Sequence, residues 1–332
     1  MIKELCVIGH PSHVGGADTE LDHQIHAWQR MGIEVHICHT MKVCKYADDL
    51  RSHFEDRGCI YHKAKDWSSL EGMHTISFCN GKFLSDLDKI KSYARTATFV
   101  NCMTWNFRKE IQRQRDGLID LHLYQSKHAF NKVSKKLKNR GPEYNAMRFF
   151  PYFHIDDFPF ISNEDRSESV DTFRFGRISR DDPQKFNKDQ LKIYKGISCD
   201  KPKEGVVMGW SEAVCRKIYE SCPKYINFLK VGGMSQQEFY KSVDVVISAS
   251  DTHENLPRVG FEAMSSGTVL VVDNRGGWKI QVDDGETGFL CNDTEEFISK
   301  SNMLANNNDL RESMAFRARG KLEEKWGIES AM

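Results

Sequence analysis

No apolar run in this 332-residue chain approaches the ~20 residues that span a bilayer. The opening MIKELCVIGH is too short and too polar inside for a signal-peptide core. Both absences point to a protein that stays in the compartment where it is made, the cytoplasm. Cysteine pairs at metal-binding spacing are missing too. The ten cysteines are scattered, with the tightest spacings at Cys38 to Cys44 and Cys215 to Cys222, so neither a zinc site nor a disulfide framework is expected. Cys6, Cys38, Cys79 and Cys102 lie in or beside apolar stretches and read as small buried hydrophobes. Net charge is absent as well, with 47 Lys+Arg against 47 Asp+Glu, and no internal repeat or low-complexity segment occurs. With 39% hydrophobic and 28% charged residues, the chain is neither a disordered tail nor a membrane bundle, and its length suits two domains.

The zero net charge hides an asymmetry. Residues 1–155 hold 23 basic and 17 acidic side chains, and the stretch 91–148 alone holds 13 against 4. Its densest parts are Arg108, Lys109, Arg113 and Arg115, then Lys127, Lys132, Lys135, Lys136, Lys138 and Arg140. Most charge runs of this kind are solvated helical faces. The alternative is a surface for a polyanion.

Short apolar runs bounded by turn residues alternate with longer amphipathic stretches, the pattern of parallel strands joined by crossover helices. Leu5 to Gly9, Val35 to His39, Thr75 to Cys79, Thr98 to Cys102 and Asp120 to Gln125 read as strands of one sheet. Leu21, Ile25 and Trp28 fall at helical spacing between the first two, and Gly32 ends that helix. The aromatic segment FFPYFHIDDFPF (149–160) reads as an ordered linker. Strands at Thr172 to Gly176, Gly205 to Met208, Ile226 to Leu229, Val243 to Ser248 and Val269 to Val272 follow. The expectation is two doubly wound α/β domains, 1–155 and 156–332, with ligands at the carboxyl ends of the strands.

The most informative segment is ENLPRVGFEAMSSG (254–267). Pro257 suits a first helical turn and Gly267 a stop, which predicts a short helix whose amino end is open to a phosphate or sugar hydroxyls. Glu254 precedes that helix and Glu262 lies two turns deeper, so the two can hold opposite ends of one elongated ligand.

Glutamate, seven residues, glutamate, then Ala-Met and a glycine resembles the signature of the retaining GT-B glycosyltransferases related to glycogen and sucrose synthases and bacterial mannosyltransferases. The similarity continues through VVDNRGGWKIQVDDGETGFL, with Gly276, Gly277, Gly285 and Gly288, and upstream at Phe175, Gly176 and Arg177. It extends diffusely to Gly15 and Gly16. The resemblance implies two Rossmann-like domains facing a central cleft, with an acceptor-binding first domain and a nucleotide-sugar-binding second one. It implies that Glu262 binds the ribose, that Glu254, Asn255 and Leu256 contact the transferred sugar, and that Gly15 and Gly16 lie near the diphosphate. Arg177 and Lys185 would neutralise that diphosphate, with Arg180 and Lys188 near enough to replace Lys185.

Two departures stand out. Many relatives carry a histidine at the end of the fourth strand, where this chain has NCMTWNF, so no catalytic histidine is carried over and Trp105 and Asn106 remain as cleft residues. The closing helix after Trp326 is short or absent. Thirteen histidines are scattered rather than clustered. His253 is either a cleft residue or a cap. Asp86 and Asp88 form the only Asp-x-Asp, and no metal is expected there.

The resulting reading is a retaining, metal-independent hexosyl- or pentosyltransferase using a nucleoside diphosphate sugar, UDP-sugar first, with no other cofactor. The catalytic set is Arg177, Lys185 and Glu254. The basic first half points to an anionic acceptor, DNA bearing a hydroxymethylated base as phage enzymes of this fold use, which would place the protein in the host cytoplasm. Trp105, Asn106, Arg108, Lys132, Lys135 and Lys136 are the acceptor candidates. The alternatives are a lipopolysaccharide, glycolipid or other envelope saccharide as acceptor, a non-catalytic nucleotide-sugar-binding module, and a dehydrogenase. The last is disfavoured because the first turn lacks the third glycine of G-x-G-x-x-G.

Overall fold

The computed structural model describes residues 2–9, 15–41, 47–141, 143–162, 165–166 and 172–331. It divides into two compact units, Met1–Phe153 with Ile328–Met332, and His154–Gly327.

The first unit is built on seven parallel strands: β1 (Glu4–Ile8), β2 (Glu34–Cys38), β3 (Ile60–His62), β4 (His74–Phe78), β5 (Thr96–Asn101), β6 (Leu121–Tyr124) and β7 (Ala146–Arg148). Their spatial order is β3-β2-β1-β4-β5-β6-β7. Period-two alternation splits β1 between two cores. Leu5 and Val7 pack with Leu21 and Ile25 of helix Gly16–Arg30, whereas Cys6 and Ile8 pack with Phe83, Leu84, Leu87 and Ile90 of helix Gly81–Lys91. Gly32, at φ +77°, follows the first helix, in the left-handed conformation a helix stop favours. The chain runs outward from β1 on one side and then restarts at β4 on the other. The β1/β4 boundary is therefore the topological switch point, where doubly wound sheets hold ligands.

The second unit repeats the plan with β8 (Phe173–Ile178), β9 (Lys203–Met208), β10 (Ile226–Leu229), β11 (Val245–Ser248), β12 (Val269–Asp273) and β13 (Gly288–Cys291), in order β10-β9-β8-β11-β12-β13. Phe173, Phe175, Val207, Val245, Ile247, Val269 and Val271 form one continuous core. The switch point lies between β8 and β11.

Three strands escaped the sequence reading. β3 and β7 have three residues each at sheet edges, too short to show a period, and β13 opens on a glycine. The linker aromatics Tyr152, Phe153 and Phe158 are buried. A four-residue helix, Ile328–Ala331, groups with the first unit. The nine described cysteines are free, and Cys44 lies outside the described residues. No described helix is long and apolar enough to cross a membrane.

Candidate functional site

The carboxyl ends of β8, β11 and β12 bring together the motif residues of the second unit. The helix expected from Pro257 runs Arg258–Ser265, with Pro257 as the residue before it. Glu254 stands in the preceding loop, and its carboxylate takes both its hydrogen bonds at 2.6 Å from the Lys185 ammonium. Both side chains are about one-fifth exposed, at 21% and 17%, so the pair is reachable from solvent. Lys185 is thus the basic residue beside Glu254, in preference to Arg180 or Lys188.

The Gly-Gly turn explains how Glu254 is held. The Gly277 amide donates to the Glu254 carbonyl at 2.8 Å. A Cβ on Gly276 would lie 2.4 Å from that carbonyl oxygen, and one on Gly277 would lie 2.0 Å from the Asn255 carbonyl oxygen. Gly276 also needs φ +60°. Only glycines let these two backbones approach so closely. Asn255 and Leu256 are buried beneath the contact.

Arg177 is enclosed by the protein. It is 1% exposed, and Nη1 donates to Ser248 Oγ at 2.7 Å and to Gln190 Oε1 and the Ala249 carbonyl at 3.1 Å. Nη2 donates to the Lys185 carbonyl, and the guanidinium lies 4.5 Å over the Phe186 ring. Burial pushes its pKa down. Its Nη donors thus hold the backbone of Lys185, while Nε is buried without a partner among the described residues. Lys217 braces the same segment, donating at 2.6 Å to the Pro183 and Phe186 carbonyls and pairing with Asp251 at 2.6 Å. A residue in the middle of FRFGRI reads from sequence as a strand-end cation, and only packing reveals that it is enclosed.

Glu262 is also buried, at 1% exposure, and accepts from the Tyr240 hydroxyl at 2.9 Å. Burial raises its carboxyl to about 7, against the lowering effects of Tyr240 and Arg258. The same hydroxyl lies 3.2 Å from the Val259 carbonyl. Asp273, which the sequence reading passed over within VVDNRGGW, ends β12 and accepts from the Ser250 amide at 2.9 Å. Its burial lifts it to about 6, although Arg275, the Ser250 amide and Arg177 oppose the shift. His253 is exposed.

In the first unit, Gly15 precedes helix Gly16–Arg30 at φ +129°, and its carbonyl accepts from the Asp18 and Thr19 amides at 3.1 Å. Trp105 is 51% exposed and lies against Phe107 at 4.6 Å between ring centres. Both amide atoms of Asn106 are buried without a hydrogen-bond partner. Arg108, Lys132, Lys135 and Lys136 are exposed. Asp86 and Asp88 sit on one helix two residues apart, so they point to different sides. They pair with Lys65 and Arg113 at 3.3 and 2.9 Å. Among the described residues no cluster of ligating side chains could hold a metal ion.

Residues 211–321 match the family described as glycosyl transferases group 1. Over that segment the chain is similar to the group 1 glycosyltransferases, and its fold is GT-B. Trehalose synthase of Pyrococcus horikoshii is 27% identical over 170 residues, covering 47% of this chain and 41% of that protein. Spore coat protein SA of Bacillus subtilis is 28% identical over 106 residues, covering 31% and 28%. The chain thus spans less than half the length of these curated relatives. Among solved structures, Anabaena Alr3699/HepE in complex with UDP and glucose superposes with a TM-score of 0.75 at 14% identity, covering 99% of this chain and 97% of that one. An alpha-glucosyltransferase in complex with UDP and a 13-mer DNA containing a HMU base superposes at 0.69 and 12% identity, over 99% and 97%. At these identities the chain shares a fold with them, and the fold is what the likeness carries.

Proposed function

We propose that the protein is a glycosyltransferase that moves a sugar from a nucleoside diphosphate sugar, a UDP-sugar first, to an acceptor hydroxyl with retention at the anomeric carbon. The observation that carries this reading is the Lys185–Glu254 pair, held by Arg177 beneath and by the Gly276–Gly277 turn beside it. The sugar's anomeric carbon loses its bond to the diphosphate oxygen, which takes the electron pair. The acceptor oxygen bonds to the same face, and its proton passes to the departing phosphate. No side-chain nucleophile is required. The Lys185 ammonium stabilises the charge that develops on the phosphate, and Glu254 orients the sugar once the cation has moved to the diphosphate. Glu262 serves the ribose hydroxyls once they displace the Tyr240 hydroxyl from its carboxylate. On this reading Lys185 supplies the positive charge that a divalent cation would otherwise supply, and the reaction needs no metal. The acceptor we favour is DNA carrying a hydroxymethylated base, on the charge of residues 91–148.

The test offers UDP-sugars with DNA, saccharide and glycolipid acceptors and follows UDP release and label transfer, with and without EDTA. Transfer that survives chelation and falls by at least ~100-fold in Lys185→Ala is expected, the range for losing one charge-stabilising group. Absence of UDP release from every nucleotide sugar overturns the reading. EDTA-sensitive transfer restored by manganese overturns its metal independence.

A further inference from the structure

A second site lies wholly within the first unit. A cavity of about 600 Å³ opens at the β1/β4 switch point, a volume typical of small-molecule pockets. Its apolar wall includes Leu21, Phe78, Leu84 and Phe107. Its charged lining is three basic side chains, Lys82, Arg108 and Lys109, against one acid, Asp18. Gly9 closes one side, where a Cβ would lie 2.6 Å from the Asn80 amide.

The sheet order explains why the cations gather there. β4, β5 and β6 are neighbours, and each is followed by a helix that starts at the carboxyl edge: Gly81–Lys91, Arg108–Arg115 and Lys127–Val133. Lys82, Arg108, Lys109 and Lys127 fall in these first turns. With strands ~4.8 Å apart, the row is about 10 Å long. In the first and third of these helices the leading amides are already taken. The Asn80 side chain caps Lys82 and Phe83, and the Ser126 side chain caps Ala129.

Nor do nearby acids cancel the row. Asp86 and Asp88 are paired with Lys65 and Arg113, and Glu110 is buried, accepting from Asn101. Lys109 donates to Ser85 Oγ, whereas Lys82, Arg108 and Lys127 are exposed and have no ion pair among the described residues. Lys132, Lys135 and Lys136 occupy the far end of the third helix and the turn beyond it, roughly 8 Å or more from that edge at 1.5 Å per residue. Of the basic acceptor candidates, the pocket therefore keeps Arg108 and leaves out these three lysines.

A neutral saccharide has no use for the cations, and an anion alone has none for the aromatic wall. We infer that the pocket binds one nucleotide unit of a nucleic-acid strand, the base against Phe78 and Phe107 and the flanking phosphates on Lys82 and Arg108. A base in such a pocket has left its stack, as chemistry on a base within a duplex requires. The purpose of this binding rests on the glycosyl-transfer reading, while the binding itself does not.

Fluorescence anisotropy with labelled single-stranded and duplex oligonucleotides containing 5-hydroxymethylated bases tests it, with UDP-induced thermal shifts reporting that each variant is folded. Lys82→Glu with Arg108→Glu is expected to weaken binding at least ~100-fold and to lower the salt slope by about 1.4 to 1.8, at 0.7 to 0.9 per phosphate contact. Phe107→Ala is expected to weaken binding ~10-fold with the slope unchanged, since stacking is worth about 1–3 kcal/mol per base. Unchanged binding in the double variant overturns the inference. So does an equal loss in Lys132→Glu with Lys136→Glu, which would mean diffuse attraction, and so does binding of anionic vesicles or sugar phosphates but not oligonucleotides. Oligonucleotide binding without UDP release from any donor refutes the transfer reading and leaves the pocket. Transfer to a saccharide without oligonucleotide binding does the reverse.

Discussion

Lys185 and Glu254 occupy each other, so under the proposed function a diphosphate has to displace a carboxylate to reach the ammonium. Glu254→Gln removes that competitor. UDP should therefore bind several-fold more tightly to the variant by calorimetry, while turnover falls because the sugar loses its anchor. Weaker UDP binding in the variant would mean that Glu254 touches the nucleotide directly. Glu262 presents a different balance. As an acid it can donate to the Tyr240 hydroxyl, which then donates to the Val259 carbonyl; as a carboxylate it takes the hydroxyl for itself and leaves that carbonyl unserved. Its raised pKa means that the unfolded chain gives up the proton near pH 4.5 and the folded one only near 7. The folded state is thus most favoured by this group below pH 4.5 and loses that advantage as pH rises to about 7, by up to about 3 kcal/mol. In urea unfolding, Glu262→Gln should gain stability relative to the parent between pH 5 and 8. A constant difference across that range refutes the assignment. The glutamates and their spacing were legible in the sequence. Tyr240, 22 residues upstream, was not, because its hydroxyl meets Glu262 only through the packing of helix Gln236–Ser242.

At the scale of elements, the strand–turn–helix units announced themselves where one face or both were buried over at least four residues, except at β13, which opens on a glycine. β3 and β7, three residues long with little or no buried side, did not. At Arg177 the strand was evident, but strand pattern alone does not tell a charged residue exposed at a strand end from one enclosed there. The Gly-Gly turn was readable as a motif, and its reason is steric. Gly277→Ala forces a Cβ into the Asn255 carbonyl, and overpacking against backbone costs about 1–3 kcal/mol and moves Glu254. Gly320, in helix Asn308–Trp326, has nothing within 4 Å of its would-be Cβ, so Gly320→Ala should stabilise by up to ~1 kcal/mol. Thermal melts should move in opposite directions, with UDP affinity falling only in Gly277→Ala. A neutral result at Gly277 would show that the turn can yield.

Across the whole molecule, the basic half and the acidic half compensate so completely that net charge conceals both. The sequence located the excess, and only the strand order separated the cations at the carboxyl edge from those beyond it. That order has another consequence. Every strand pairing in both described sheets is parallel, so no hairpin can start either one. Yet β1 and β8, the first strands of their sheets to be made, lie inside them, and every later strand joins an outer edge: β2 then β3 on one flank and β4 to β7 on the other, β9 then β10 and β11 to β13 in the second sheet. No strand must wedge itself between two already paired. As the chain leaves the ribosome at roughly 5–20 residues per second, each new strand meets a seat that its predecessors have left open, and slow parallel pairing keeps pace with synthesis.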